Sequence, residues 1–419
     1  MSVSTLSYIW SEKRHSNQLV YLYIHVKKVL NTPTFLPSNR QAPSSRRLSF
    51  AASAHGKILM PAPPTLAANA WILIDANTGK VLIENNADQQ LPPASLTKIM
   101  TSYLVASDIA SDKIKEDDQV PISVTAWKKG GSKMWVREGT SVSVIDLLRG
   151  VIIQSGNDAS IALAEHLAGS EGAFSDVMNQ QAALLGMSGT YYSNATGWPD
   201  EGHLTTARDL ALLSRALIQD HPHYYKIYSE KYFKYNGINQ PNRNRLLWRD
   251  RSVDGLKTGH TEEAGYCLVA SAVRNGTRLI SVVMGASTEE SRAQESQKLL
   301  AYGFRYYETG KIYSAGDIVE EDVRVWYGAE NKVNLIVPED VYLTIPKGSQ
   351  KDLNAKILLD EMIEAPIFEK QEIARISISL EGEQLLELPV SAQKAIDEAS
   401  LFMRLWDAIE IWFRVSSKE

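Results

Sequence analysis

Apolar positions follow two different periods along this chain. Residues 70–74 (Ala70, Trp71, Ile72, Leu73, Ile74) are continuously apolar, Asn77-Thr78-Gly79 follows, and Val81, Leu82 and Ile83 return. Two short apolar runs around a turn signal predict a hairpin of buried strands. Pro92-Pro93 ends extended structure. Ile99, Met100, Tyr103 and Leu104 then recur at helical spacing and predict a helix from Ser95 to about Ser107. Further helical patterns cover residues 144–153, 158–167, 173–185 and 206–218. After Asp254 the period becomes two. Residues 266–273 and 279–284 flank Asn275-Gly276, a strong hairpin signal, and residues 292–307 are helical again. Strands, then helices, then strands and a helix predict an α+β domain, with helices packed on an antiparallel sheet.

From about Lys311 the texture changes. Short β-like runs (323–326, 333–337, 341–345 and 376–380) alternate with Gly, Pro, Asn and Asp, which predicts a small all-β sandwich. Residues 396–415 carry Leu401, Phe402, Leu405, Trp406, Ile409, Trp412 and Phe413 on one broad helical face, with Arg404, Asp407, Glu410 and Arg414 on the other. The pattern alone fits a helix packed on the β domain as well as an amphipathic helix lying at a membrane surface. The expected organisation is an N-terminal segment over 1–62, an α+β domain over 63–310, a β domain over 311–392 and a terminal helix over 393–419.

Composition narrows the function classes. Of 419 residues, 44% are hydrophobic and 22% charged, which is ordinary for globular domains. The net charge of −5 is uneven, with +7 on the first sixty residues and −12 on the rest. An acidic body argues against a nucleic-acid partner. One cysteine, Cys267, excludes an internal disulfide framework and a cysteine-rich zinc site. No apolar run reaches the roughly 18 residues that span a bilayer. The basic start is rich in Ser, Pro and Asn. Its longest apolar stretch, residues 19–26, is too short for an ordinary secretory signal, although Ala52-Ser53-Ala54 would suit a cleavage site. It is expected to be a disordered tail, or an upstream extension from a misassigned start, without function of its own. Asn194-Ala195-Thr196 and Asn275-Gly276-Thr277 match the glycosylation pattern, but such short matches are mostly accidental.

Three polar motifs carry candidate chemistry. In Ser95-Leu96-Thr97-Lys98, serine and lysine lie one helical turn apart, so a neutral lysine could take the hydroxyl proton. Burial and a second cation would lower the lysine pKa, and the helix N-terminus offers N–H groups to an oxyanion. Alone, a motif this short is more often a capping serine beside a solvated lysine. Ser155-Gly156-Asn157 could project a hydroxyl and an amide into a cleft, or simply cap the next helix. Lys257-Thr258-Gly259 could hold a substrate carboxylate at a strand edge, with Gly259 allowing close backbone approach, or be a polar strand start. Together, in this order and on a helix start, a loop and a strand, they form the motif set of penicillin-binding proteins and class A β-lactamases.

Residues from about 68 onward resemble the low-molecular-mass penicillin-binding proteins that act as D-alanyl-D-alanine carboxypeptidases. Besides the three motifs, the similar stretches include Pro93-Ala94-Ser95-Leu96-Thr97-Lys98, Ser155-Gly156-Asn157-Asp158, Asn242-Arg243-Asn244 with Leu246-Leu247-Trp248, and Asp254-Gly255-Leu256-Lys257-Thr258-Gly259-His260-Thr261. The resemblance implies a serine β-lactamase/transpeptidase-like domain followed by a β-sandwich and an amphipathic anchor helix. It implies a periplasmic enzyme on the inner-membrane surface, acting on peptidoglycan pentapeptides and acylated by β-lactam antibiotics, with no metal or cofactor. It makes Ser95 the nucleophile, Lys98 the base and Ser155 a proton relay. Asn157 would position substrate, and Lys257 and Thr258 would hold its carboxylate. The backbone N–H groups of Ser95 and His260 would form the oxyanion hole. Arg292 would help hold the carboxylate, although residues 286–290 before it depart from the family pattern.

Two other functions stay open at this point. A class A-like β-lactamase would need a glutamate for deacylation; Glu201 is the nearby candidate but lacks the Glu-x-x-x-Asn context. An inactive peptidoglycan-binding scaffold is disfavoured by the intact motifs.

Overall fold

The computed structural model describes residues 20–24, 60–359 and 362–416. These divide into two compact units, one comprising residues 59–310 with 342–347, the other formed by the rest.

The first unit is built on a five-stranded antiparallel sheet. Its strands are β1 (Ala70–Asp75), β2 (Val81–Asn85), β3 (Val253–Thr261), β4 (Gly265–Arg274) and β5 (Thr277–Ala286), in the order β2-β1-β5-β4-β3. The expected first hairpin pairs Leu73 with Ile83. Asn275 and Gly276 take positive φ angles of 51° and 82° between β4 and β5, as the two-residue hairpin requires. Strand residues are apolar on both faces because both faces are covered. Ile72 and Ile74 join one buried cluster with Ile99, Leu147 and Leu210, while Trp71 and Leu73 join another with Leu299, Leu300 and Phe304. Each such side chain contributes about 1.5–3 kcal/mol by leaving water.

Five helical patterns appear where expected, with boundaries shifted by one to three residues. They are α1 (Lys98–Ala110), Glu171–Leu184, α2 (Asn157–Ala168), α3 (Ala207–Asp220) and α4 (Glu289–Tyr306). The predicted helix over 144–153 is α-helical only from Val144 to Arg149 and loosens to a π turn over Gly150–Gln154. The sequence between the first hairpin and β3 therefore forms the helical layer inserted into the sheet.

The start of β3 is held firmly. The Arg278 guanidinium pairs with both oxygens of Asp254 at 2.9 and 2.8 Å, and Tyr225 donates its hydroxyl to the same carboxylate at 2.7 Å. Residues 342–347 belong to this unit and not to the β unit around them in sequence. The Thr344 carbonyl accepts from Lys80 Nζ at 3.1 Å, its hydroxyl meets Thr78 and Thr309, and Lys347 Nζ reaches the Phe304 carbonyl at 2.7 Å.

The second unit is all-β apart from its helices. Strands Val20–Ile24, Leu353–Leu359, Glu372–Leu380, Glu383–Ala392, Lys332–Ile336, Ile318–Trp326 and Ile363–Glu364 follow one another across a seven-stranded sheet. Strand Val20–Ile24 comes from the segment for which no fold was expected, and pairs antiparallel with Leu353–Leu359; the remainder of residues 1–59 lies outside the described residues.

The terminal helix α5 (Leu401–Ser416) docks by its polar face. Asp407 is buried, accepts from Arg324 Nη2 at 2.7 Å and accepts the Tyr327 backbone N–H at 2.7 Å; Glu410 also faces Arg324. Leu401, Phe402, Leu405, Trp406, Trp412 and Phe413 are all more than 60% exposed. An apolar face packed on the β domain is thereby excluded. Among the described residues no helix is long and apolar enough to cross a membrane.

Candidate active site

Three elements bring the motifs together. Ser95 sits on a short 3₁₀ turn, Ala94–Thr97, that runs directly into α1, and Lys98 is the first residue of that helix. Lys98 is completely buried. Its ammonium nitrogen lies 3.1 Å from Ser95 Oγ, 2.7 Å from Asn157 Oδ1 and 2.5 Å from the Thr196 carbonyl oxygen. Burial, reinforced by the cation of Arg243, pulls its pKa down to about 7, against opposition from Asp158. A substantial fraction is therefore neutral near pH 7 and able to accept a proton.

The π turn delivers the second motif. It ends at Ser155, which adopts a left-handed conformation with φ 64°. That geometry aims the hydroxyl back at the site before α2 begins. Asp158 locks the facing loop by accepting the backbone N–H groups of Met134, Trp135 and Val136 at 2.8–3.2 Å. Asn157 is committed at both ends: its oxygen accepts from Lys98, and its amide nitrogen donates to the Gly130 carbonyl at 2.7 Å. These bonds fix its amide beside the Lys98 ammonium.

The third motif comes from the edge strand of the sheet, β3, whose residues 255–259 are buried. Lys257, on β3, is buried and donates to Ser155 Oγ at 2.9 Å and to the Thr258 carbonyl at 3.1 Å. Burial and the neighbouring cations Lys98, Arg243 and Arg292 push its pKa well below the usual lysine range. A β-carbon on Gly259 would lie 2.9 Å from the Pro93 carbonyl oxygen. The close approach that requires glycine is thus between β3 and the turn carrying Ser95. Arg292, on α4, donates to the Gly259 carbonyl at 3.1 Å and to Glu289 at 3.3 Å, and stacks on Tyr266. It braces the strand as well as facing the cleft.

Ser95, Ser155, Thr258, Gly259, His260 and Arg292 line a cleft of about 500 Å³, together with Arg243 and Arg245. All nine residues singled out from sequence therefore meet at or directly behind this cleft. The cleft is cationic, and Glu289 at its edge is already bonded to Arg245 and Arg292, so a carboxylate-bearing ligand fits its charge.

Arg243 and Thr196 were not singled out as site residues. Arg243 donates to the Gln154 carbonyl at 3.0 Å and acts on both lysines through charge; the polar cluster Asn242-Arg243-Asn244 is its only sequence signal. Thr196 contributes a backbone carbonyl, which leaves no trace in residue identity. Glu201 is exposed and does not line the cleft. Asn194, in the first glycosylation-like triplet, is buried: its oxygen accepts the N–H groups of Thr196, Gly197 and Trp198 at 2.9–3.1 Å.

Residues 57–288 match the family model described as D-alanyl-D-alanine carboxypeptidase, and residues 307–398 match the C-terminal domain of penicillin-binding protein 5. The chain is 46% identical over 358 residues to D-alanyl-D-alanine carboxypeptidase DacC of Escherichia coli K12, covering 84% of this chain and 89% of that protein. The crystal structure of penicillin-binding protein 5 from Haemophilus influenzae superposes with a TM-score of 0.77 at 43% identity, over 81% of this chain and all of the other. Penicillin-binding protein D2 from Listeria monocytogenes, solved in an ampicillin-bound form, is 35% identical with a TM-score of 0.53, over 57% of this chain and 98% of its own.

Proposed function

The chain belongs to the D-alanyl-D-alanine carboxypeptidase family, and on that premise we propose that it removes the terminal D-alanine from peptidoglycan pentapeptides through an acyl-enzyme on Ser95. The observation that carries this reading is the buried, pKa-lowered Lys98 held 3.1 Å from the Ser95 hydroxyl.

In the proposed cycle the substrate's terminal carboxylate enters the cationic cleft and pairs with Lys257 and Thr258, within the field of Arg243 and Arg292. Neutral Lys98 takes the Ser95 proton as Oγ attacks the penultimate D-alanine carbonyl carbon. The oxyanion is met by the backbone N–H groups of Ser95 and His260. Ser155, held by Lys257, gives its hydroxyl proton to the departing D-alanine amine as the C–N bond breaks and takes in its place the proton that Lys98 removed from Ser95, which leaves Lys98 neutral again. Water then hydrolyses the ester on Ser95, with Lys98 again the base. A β-lactam presents a similar carboxylate and carbonyl, and acylates the same hydroxyl. Its ester persists because neither nearby glutamate is placed to activate a deacylating water: Glu289 at the cleft edge is paired with Arg245 and Arg292, and Glu201 faces solvent.

We place the enzyme at the periplasmic face of the inner membrane, with α5 as a peripheral anchor. The exposed Trp and Phe side chains of α5 suit the headgroup boundary.

The test is D-alanine release from a synthetic pentapeptide, with and without penicillin, using Ser95→Ala as control. Release that penicillin blocks and the variant lacks is expected. Rapid penicillin hydrolysis with the peptide left intact would make it a β-lactamase. Neither release nor covalent labelling would make it a scaffold.

A further inference from the structure

His203 lies outside the three motifs, yet it joins the two segments that hold Lys98. It is buried in the loop before α3, 3% exposed. One ring nitrogen, Nε2, is 2.8 Å from the hydroxyl of Thr97, the residue between Leu96 and Lys98 in the nucleophile turn. The other, Nδ1, faces the backbone N–H of Ser193 at 3.1 Å and the side-chain amide nitrogen of Asn194 at 3.3 Å. Both of these groups are donors, so Nδ1 must accept and the proton of the neutral ring belongs on Nε2, donating to Thr97. The ring's environment agrees: burial, helped by Lys98, lowers its pKa to about 4, against Asp200.

The segment that His203 grips is the one that touches Lys98. Asn194 gathers the N–H groups of Thr196, Gly197 and Trp198, and the Thr196 carbonyl accepts from Lys98 Nζ. Gly197, with φ +76°, presses so closely on the nucleophile turn that a β-carbon there would lie 1.7 Å from the Ala94 carbonyl oxygen and 2.9 Å from Thr97 Oγ1. One turn further along α1, Thr101 Oγ1 donates to the Ala195 carbonyl at 2.8 Å across the same seam.

We propose that His203 is a positioning residue for acylation: its two ring nitrogens clamp the loop 193–198 to the turn Ser95–Lys98, keeping the Thr196 carbonyl on Lys98 and water away from the amine. This deepens the carboxypeptidase reading and rests on Lys98 being the base.

The groups that set the charge of Lys98 are Arg243, Lys129, Asp158 and Glu171 besides its own burial. None is altered by replacing His203. Loosening the clamp lets water reach the amine and relieves its largest perturbation, so its pKa rises.

The experiment measures the second-order rate of penicillin acylation as a function of pH for wild type, His203→Ala, His203→Gln and Thr97→Val. Glutamine keeps one acceptor and one donor; alanine keeps neither. The expected result is a loss of ten-fold or more in His203→Ala at pH 7, with the acid limb displaced upward by about one pH unit. Thr97→Val should move both quantities the same way, and His203→Gln should restore most of the rate. Long-range ¹⁵N–¹H correlation spectra of the wild type should show a neutral His203 protonated on Nε2 at pH 6.

A folded His203→Ala protein with unchanged rate and limb overturns the proposal, even if its Tm is lower. If His203→Ala does not fold, Thr97→Val with wild-type rate and limb overturns it instead, as does a ring protonated on Nδ1. A wild type that is never acylated on Ser95 overturns the carboxypeptidase reading itself, which is a different outcome.

Discussion

Lys257 Nζ donates to Ser155 Oγ at 2.9 Å across 102 residues of sequence, joining the sheet edge to the left-handed turn in front of α2. The hydroxyl therefore has a fixed donor behind it and is oriented to pass its own proton forward.

Ser155→Ala is expected to reduce D-alanine release by about 10²–10⁴-fold, the usual contribution of a positioned proton donor. Penicillin labelling of Ser95 should fall less, because a strained lactam nitrogen leaves more readily than a peptide amine. Steady-state D-alanine release and single-turnover labelling read the two effects. Near-wild-type release would remove Ser155 from the relay.

Acylation should rise with pH through about 7, because the active form of Lys98 is the neutral one. The same shift bears on stability. The folded pKa lies below the unfolded one, so between them the unfolded chain binds the additional proton and stability increases with pH. The penalty for holding Lys98 in the site is thus greatest below about pH 7 and fades toward the ordinary lysine pKa. Lys98→Met is expected to abolish acylation and yet raise stability at pH 6 by a few kcal/mol, on the order of the shift itself. The gain should shrink by pH 9. Denaturant melts at the two pH values check the sign.

Gly197→Ala should be far more damaging than an exposed loop substitution. A β-carbon there collides with the Ala94 carbonyl, and the positive φ is unfavourable to alanine. A loss of about 3 kcal/mol or more is expected, with acylation reduced because the collision displaces the turn holding Ser95. Equilibrium unfolding and penicillin labelling on one preparation decide it; a neutral substitution contradicts the packing described.

The polar face of α5 is engaged by Arg324, and its charges Arg404, Asp407, Glu410 and Arg414 cancel. Vesicle binding should therefore depend on apolar insertion and change little with salt. Trp406→Ser with Phe413→Ser, or removal of residues 393–419, should weaken co-sedimentation with lipid vesicles ten-fold or more. Undiminished binding would assign the membrane contact elsewhere.

Much of the scaffold was readable from pattern. The hairpin at Asn275-Gly276, the continuous apolar runs of β1 and β5, and the helical spacing through Ile99, Met100, Tyr103 and Leu104 each follow from a local rule relating side-chain period to burial. The reactive pair was readable too, since Ser95 and Lys98 are only three residues apart, on a 3₁₀ turn that runs directly into α1. The seven-residue apolar stripe of α5 announced its amphipathic character, but not which face would dock.

What residue order determined by itself was therefore the set of elements and the groups able to react. Tertiary structure alone decided their state and their function. In the proposed mechanism Lys98 can act as a base because burial, with its ammonium held by Asn157 and the Thr196 carbonyl and the Arg243 cation acting through charge, lowers its pKa. Gly259 is needed for a carbonyl on Pro93, and His203 matters through Thr97. These are effects of distance and desolvation between segments remote in sequence, and a backbone carbonyl or an absent β-carbon has no residue type by which it could be recognised beforehand.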